Sequence, residues 1–175
     1  MVYYRQQLIR GRFFEKPIDP LQFQKVQLVR QQLIAFSGFD CHLVFLAKPD
    51  EAYSQKALNK ITLSRDFLVN NTSIEVIAGI LAHEWGHLYD SRVPTGRDGF
   101  DKRRSMESFA DQFAARFLAF HQYRVAPFIN FCIKRPEVLH DEHGGHFERA
   151  SLIAADYGNA LNEIHQAPRV TMVTA

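Results

Sequence analysis

The feature that most restricts the fold of this chain is a helical segment that carries two histidines four residues apart. Between residues 74 and 88 the apolar residues recur every three or four positions, which is the period of an α-helix. Thr72 and Glu75 have the spacing of a capping box, which predicts the start of the helix, and the period continues to about Tyr89. The segment contains His83-Glu84-Trp85-Gly86-His87, the pattern HExxH. Residues four apart share one face of a helix, so both histidine rings can reach a single point beside it.

Such a pair of imidazoles is typical of a zinc site, and catalytic zinc sites take a third protein ligand while one position stays open. The next helical segment carries Glu107 and, one turn later on the same face, Asp111. We predict that His83, His87 and Glu107 bind Zn²⁺. We further predict that Asp111 accepts a hydrogen bond from the second nitrogen of a ligating histidine. The alternative is that the histidines only pack inside the protein and that the two acidic residues form an exposed pair.

Glu84 is the residue of the pattern that predicts catalysis. It lies about 100° around the helix from His83, where its carboxylate can reach a zinc-bound water without binding the metal. Zinc lowers the pKa of such a water towards ~7, and Glu84 can then accept its proton as the general base. This chemistry hydrolyses peptide bonds. The alternative function is a non-catalytic, zinc-containing interaction or regulatory module with a peptidase-like fold, although a purely structural site needs no base.

Taken together, the motifs resemble a known family. HEWGH followed by Glu107-Ser-Phe-Ala-Asp111 resembles the gluzincins, zinc metallopeptidases whose third ligand is a glutamate from a second helix. The ExxAD form is most similar to the CAAX prenyl endopeptidases, the HtpX-type proteases and their soluble relatives. A later motif of that group resembles His143-Gly-Gly-His-Phe-Glu148-Arg149, with Gly144 in place of its proline. The resemblance implies that His143 and Arg149 stabilise the oxyanion of a tetrahedral intermediate. Two alternatives stay open. His143 could instead be a fourth zinc ligand, or His143 could be a loop residue while Arg149 pairs with Glu148 or with an acidic residue elsewhere.

The same resemblance implies a zinc-dependent metalloendopeptidase with a zincin-like fold. A peptide or protein substrate would bind in extended form along an edge of the sheet. In that group a strand and a turn precede the metal helix, and residues 61–68 resemble them. Residues 51–59 are expected to fill the place of the edge strand.

The remaining segments predict the architecture. Asp19 and Pro20 favour the start of a helix, and Gly38 favours its end. Strands are expected at 39–47 and 60–64, and further helices from about Ser105 and over 147–164. Pro127 and Pro136 are expected to interrupt the chain between these two helices. Together these elements predict a single metallopeptidase domain over residues 1–175 with an α+β fold. A small twisted sheet packs on the HExxH helix, and a mostly helical C-terminal part follows.

Composition argues against several other classes of protein. The formal net charge of +2 is too small to indicate nucleic acid as a partner. No apolar stretch approaches the ~20 residues of a transmembrane segment, and the first residues lack the order of a secretory signal. We therefore expect a cytoplasmic protein, with export by a non-classical route left open. Cys41 and Cys132 could form one disulfide, but two buried thiols are the favoured interpretation.

Overall fold

The computed structural model of the chain describes residues 18–46, 52–71, 73–93, 95, 99–134 and 145–166, except for the side chain of His146. The described part has an α+β fold that is mostly helical and contains a small three-stranded mixed sheet. In chain order its elements are α1 (Pro20–Ser37), β1 (His42–Leu46), β2 (Ala52–Gln55), a 3₁₀ turn (Lys56–Leu58), β3 (Lys60–Ser64), α2 (Arg65–Asn70), α3 (Ile74–Tyr89), α4 (Phe100–Phe120), α5 (Ala126–Lys134) and α6 (His146–Gln166).

Helix α1 begins and ends where its sequence predicts. The side chain of Asp19 accepts a hydrogen bond from the backbone N–H of Leu21 at 2.9 Å, and Pro20 takes the first helical position, where a missing N–H costs nothing. At the other end Gly38 adopts a left-handed conformation, with φ of 68°, and donates its N–H to the carbonyl of Ile34. The predicted bounds of this helix are therefore confirmed.

The sheet has the strand order β1-β3-β2, with β1 parallel and β2 antiparallel to the central strand. Strand β3 coincides with the predicted strand over 60–64, and its side chains from Ile61 onward are buried. Strand β2 is an edge strand and lies within residues 51–59, where the edge strand is expected. The 3₁₀ turn follows it.

Strand β1 begins three residues later than the predicted segment 39–47, whose last residue lies outside the described part of the chain. The residues before it are held against α1 by Arg30, whose Nη2 donates to the carboxylate of Asp40 at 2.8 and 2.9 Å and to the carbonyl of Cys41 at 3.2 Å. Because the carbonyl of Cys41 accepts from a side chain, regular pairing begins only at His42.

Helix α3 starts without the predicted capping box. Ser73 is its N-cap, and the Ser73 hydroxyl donates to the carboxylate of Glu75 at 2.6 Å. That carboxylate also accepts from the guanidinium of Arg124 at 2.7 Å, so it serves a tertiary ion pair instead of the helix end. The capping-box prediction is wrong in this respect, and Thr72 lies outside the described residues. The predicted end at Tyr89 is confirmed.

Helix α3 is also the centre of the fold, because side chains on nearly all its faces are buried. It packs against α1, the sheet, α4 and α5. Its Trp85 is fully buried and donates from Nε1 to the hydroxyl of Ser37 at 3.1 Å. A Cβ at Gly79 would overlap the ring of Phe128 on α5. These contacts fix the rotation and height of the helix that carries the two histidines.

Helix α4 begins at Phe100, more than a turn before the predicted Ser105. Gly99 is its N-cap, and Asp101 places a negative charge in the first turn, where the helix dipole favours it. Apart from the exposed Phe100 this first turn is polar, so it shows no apolar period that could predict it. Further along, Phe113 and Phe117 are buried in the core.

Two features of the C-terminal part differ from expectation. The predicted interruption at Pro127 is wrong, because Pro127 lies in the first turn of α5, where proline is tolerated. Pro136, the second predicted interruption, lies outside the described residues. Helix α6 is slightly longer than the predicted 147–164. None of the helices within the described ranges is both long and apolar enough to cross a membrane. Cys41 and Cys132 are buried free thiols, as the favoured interpretation has it.

Candidate metal centre

The candidate site lies where α3 and α4 approach each other closely at Gly86. A Cβ at this position would lie 2.9 Å from the Cα of Ala110 and 3.1 Å from the Cβ of Phe113. Unstrained carbon atoms stay about 3.5–4.0 Å apart, so glycine is what permits this spacing. Glu107 stands one turn before Ala110 on α4. The close approach therefore brings its carboxylate to the histidine-bearing face of α3.

Three donor atoms form an almost equilateral triangle at this point. Nε2 of His83 lies 3.1 Å from Nε2 of His87. Oε2 of Glu107 lies 3.2 Å from the first nitrogen and 3.3 Å from the second. Two ligand atoms that each lie ~2.0–2.1 Å from one tetrahedral ion are about 3.3–3.4 Å apart, so the triangle has the size that a single ion requires. The structure thus brings together the three residues that the sequence predicts as ligands, in a group that could hold a metal ion.

The ring of His83 is oriented by a second carboxylate. Its Nδ1 lies 2.8 Å from Oδ1 of Asp111, and a hydrogen bond to a carboxylate requires the proton on Nδ1. A neutral ring with that proton has its lone pair on Nε2, the form that binds a metal. Burial lowers the pKa of His83, but the carboxylates of Asp111 and Glu107 outweigh burial and raise this pKa to about 10. The site therefore favours a positive charge at Nε2, which a proton or a metal cation can supply.

Asp111 is itself held by Arg149 of α6. The guanidinium donates from Nε to Oδ2 at 2.7 Å and from Nη2 to Oδ1 at 2.8 Å. Burial raises the pKa of Asp111, but the charges and hydrogen bonds of His83 and Arg149 lower this pKa to about 2. The carboxylate consequently stays ionised and able to accept the hydrogen bond of His83.

The resemblance assigns Arg149 and His143 to oxyanion stabilisation, and the alternative for Arg149 is an ion pair with an acidic residue. The described contacts of Arg149 are those of an ion pair. Two guanidinium nitrogens of Arg149 bond to Asp111, on the Nδ1 side of the His83 ring, whereas the triangle lies on its Nε2 side. A buried carboxylate needs a cation, which is the physical reason for this pairing. His143 lies outside the described residues.

Glu84 and the three candidate ligands differ in their access to solvent. The side chain of His83 is 5% exposed, whereas those of His87 and Glu107 are 17% and 18% exposed. Glu84 follows His83 on α3 and is itself buried, with 9% exposure. Solvent therefore reaches the triangle at His87 and Glu107. The predicted base directly follows His83, the least exposed of the three candidate ligands, in the chain.

A polar network lies beyond the C-terminal end of α3, close to the site. In the sequence its only sign is an Asp and an Arg in a turn. Asp90 is buried and accepts from the backbone N–H and from Nε of Arg92, each at 2.9 Å. The same guanidinium donates to the hydroxyl of Ser105 at 2.8 Å and lies over the ring of Phe109. These contacts tie the end of α3 to the part of α4 that carries Glu107.

The resemblance to gluzincins is carried by the two motifs that α3 and α4 bring together. Both motifs contribute to one group of potential ligands. The case for a metal site depends on the geometry and donor chemistry of that group. Comparison of the chain with models of protein families, with curated proteins and with solved structures gives no match.

Proposed function

We propose that this protein is a zinc-dependent metalloendopeptidase with a zincin-like fold. The observation that carries the proposal is the triangle of donor atoms from His83, His87 and Glu107, with Glu84 on the same helix as the histidines. Two imidazoles and one carboxylate are a donor set that zinc takes in catalytic sites. Three protein ligands leave one position for water or substrate, whereas structural zinc sites are usually closed by four.

Each side chain has a distinct role in the proposed reaction. Bound zinc supplies Lewis acidity, which lowers the pKa of a water molecule and polarises the peptide carbonyl. His83 and His87 offer Nε2 lone pairs, and Asp111 keeps His83 in the required tautomer. Glu84 accepts a proton from the attacking water as the C–O bond forms. It then delivers that proton to the leaving amine as the C–N bond breaks.

An extended peptide is the proposed substrate. Strand β2 pairs with β3 along one edge, and no other strand of the described residues pairs with its second edge. A peptide can therefore add to β2 as a further strand. Strand β2 packs against α3, and the residue that follows it, Lys56, donates from Nζ to the carbonyl of His87 at 3.5 Å. A peptide paired with β2 would thus run beside the helix that carries the ligands.

Metal analysis combined with peptide cleavage tests the proposal. The purified protein should bind about one zinc ion per chain, cleave members of a peptide library, and lose cleavage in the presence of a chelator. Glu84→Gln should retain the zinc while kcat/KM falls by about 10²-fold or more, because the base is lost and the ligands are intact. Glu163→Gln is the matched control, since Glu163 forms an exposed ion pair with Arg116 and should affect neither property.

Each outcome of this experiment has a defined meaning. Equal cleavage by the parent protein and by Glu84→Gln would refute the role of Glu84 as the base. Bound zinc without cleavage by either protein would favour the non-catalytic interaction or regulatory module. A parent protein that binds no zinc would refute the metal site itself.

A further inference from the structure

Three buried polar groups from three different helices stand in a row behind the candidate metal site. Arg149 of α6 donates to Asp111 of α4, and Asp111 is bonded to Nδ1 of His83 on α3. Arg149 and Asp111 are each 6% exposed, and His83 is 4% exposed. His83 is the member of the row that also belongs to the triangle of donor atoms.

The shape of the guanidinium limits where the carboxylate of Asp111 can lie. Two nitrogens of Arg149 bond to two different oxygens, which fixes the plane of the carboxylate. Oδ1 bonds both to Nη2 of Arg149 and to Nδ1 of His83, each at 2.8 Å. Rotation of the carboxylate would break at least one of these bonds, so Arg149 fixes the point to which His83 donates.

Burial distinguishes this pair from other ion pairs between α4 and α6. Two exposed pairs join the same helices: Arg104–Glu148 and Arg116–Glu163. Exposed pairs lose little hydration, whereas a buried guanidinium and carboxylate carry a large desolvation penalty. Contact between two helices does not require that penalty. The buried pair therefore points to a specific task at His83.

We infer that Arg149 is a positioning residue for the metal ligand His83 and that it acts through Asp111. The inference rests on the metal site of the proposed function. Arg149 fixes the carboxylate and balances its charge, which keeps Nδ1–H of His83 engaged and turns Nε2 towards the other two donor atoms. Its effect on catalysis is indirect, because Nε and Nη2 bond to Asp111 on the Nδ1 side of the His83 ring, whereas the triangle lies on the Nε2 side.

Loss of the guanidinium should weaken zinc binding. Arg149→Met keeps much of the apolar stem but leaves the buried carboxylate of Asp111 without its cation. The carboxylate can then rotate, and its bond to His83 loosens. Loss of such an outer partner typically lowers metal affinity about 10- to 100-fold. Arg149→Lys keeps a charge without the planar fork, so its zinc affinity should lie between those of the parent protein and Arg149→Met.

Zinc affinity tests the inference without any peptide substrate. It can be measured by competition with a chromogenic chelator, together with thermal unfolding of the metal-free proteins. In a double-mutant cycle, adding Arg149→Met to Asp111→Asn should change the zinc dissociation constant by less than about 2-fold, because the partner through which Arg149 acts is already lost. Arg116→Met removes an exposed pair of the same helix interface and should bind zinc like the parent protein. If Arg149→Met does not fold, Arg149→Lys takes its place in the cycle.

A merely structural role for Arg149 predicts a different pattern. The metal-free variants would then melt at lower temperature while their zinc dissociation constants matched that of the parent protein. That pattern, or independent losses from Arg149→Met and Asp111→Asn, would overturn this inference and leave the metallopeptidase proposal intact. A parent protein that binds no zinc would overturn both.

Discussion

Gly86→Ala should weaken zinc binding although it replaces no ligand. A Cβ at position 86 would lie 2.9 Å from the Cα of Ala110 and 3.1 Å from the Cβ of Phe113. Carbon atoms in ordinary contact are about 3.5–4.0 Å apart, so the helices must separate by roughly 0.6–1 Å at this point. The backbone of Ala110 cannot rotate out of the way as a long side chain could. Displacement of α4 from α3 is therefore the means by which the strain is relieved.

The magnitude follows from the same contact. Overpacking costs about 1–3 kcal/mol. Alanine in place of glycine stabilises a helix interior by up to about 1 kcal/mol, which offsets part of that cost. The free energy of unfolding of the metal-free protein should therefore fall by about 0–2 kcal/mol. Displacement of α4 also lengthens the distances of 3.2 and 3.3 Å from Glu107 to the two histidines. At about 4 Å these two distances exceed the ~3.3–3.4 Å that separates two ligands of one tetrahedral zinc ion. Zinc can bind all three side chains only if the helices approach each other again, which restores a strain of about 1–3 kcal/mol. The zinc dissociation constant should therefore rise roughly 5- to 150-fold.

Chelator competition and thermal unfolding of the metal-free protein measure the two effects separately. Gly158→Ala on α6 is the matched control, because no heavy atom lies within 4 Å of a Cβ built there. It should bind zinc like the parent protein and be neutral or more stable by up to about 1 kcal/mol. A zinc affinity of Gly86→Ala equal to that of the parent protein would refute the argument that the close contact at Gly86 sets the position of Glu107.

Three further predictions concern the proton at the site and the packing around α3. With the pKa of His83 at about 10, the metal-free ring holds a proton that zinc must displace, so apparent zinc affinity should rise by up to about tenfold per pH unit from about pH 6 to 9; a pH-independent affinity would contradict this. Gly79→Ala should destabilise the protein by about 1–2 kcal/mol in denaturant unfolding, because its Cβ would overlap the ring of Phe128 and an overpacking cost of about 2–3 kcal/mol exceeds the gain of up to about 1 kcal/mol from alanine; an unchanged midpoint would contradict the packing. Ser37→Ala should lower the free energy of unfolding by about 1–3 kcal/mol, because the buried indole N–H of Trp85 loses its acceptor, and unaltered stability would show that this bond contributes nothing.

Local rules were sufficient where a segment specifies its own conformation. Asp19 and Gly38 mark the ends of α1 because a capping side chain and a left-handed glycine satisfy backbone groups within one turn. The period of apolar residues likewise predicts α3 as far as Tyr89. Glu107 could be proposed from sequence because coordination chemistry, independently of topology, demands a third ligand near a histidine pair. The structure places that glutamate within reach of both histidines.

Local rules failed where a distant partner changes the role of a residue. Glu75 has the right spacing to cap α3, yet it accepts from Arg124, which lies beyond α4 in the chain. Pro127 favours a break in a helix interior, but its position in the first turn of α5 removes that effect. In both cases the residue type limits the structural roles that the residue can take. The packing of neighbouring helices then decides which of these roles it has.

Arg149 shows why the residues around the site are harder to predict from sequence than the three potential ligands. Their contacts depend more strongly on tertiary structure. A guanidinium binds any carboxylate within reach, so the sequence alone does not select its partner among several acidic residues. The fold selects Asp111, because a buried carboxylate without a cation carries a large desolvation penalty, while exposed acids remain hydrated. Once that pair forms, the orientation of His83 depends on where α6 packs against α4. The geometry of the triangle is therefore coupled to α6, although the three potential ligands lie on α3 and α4.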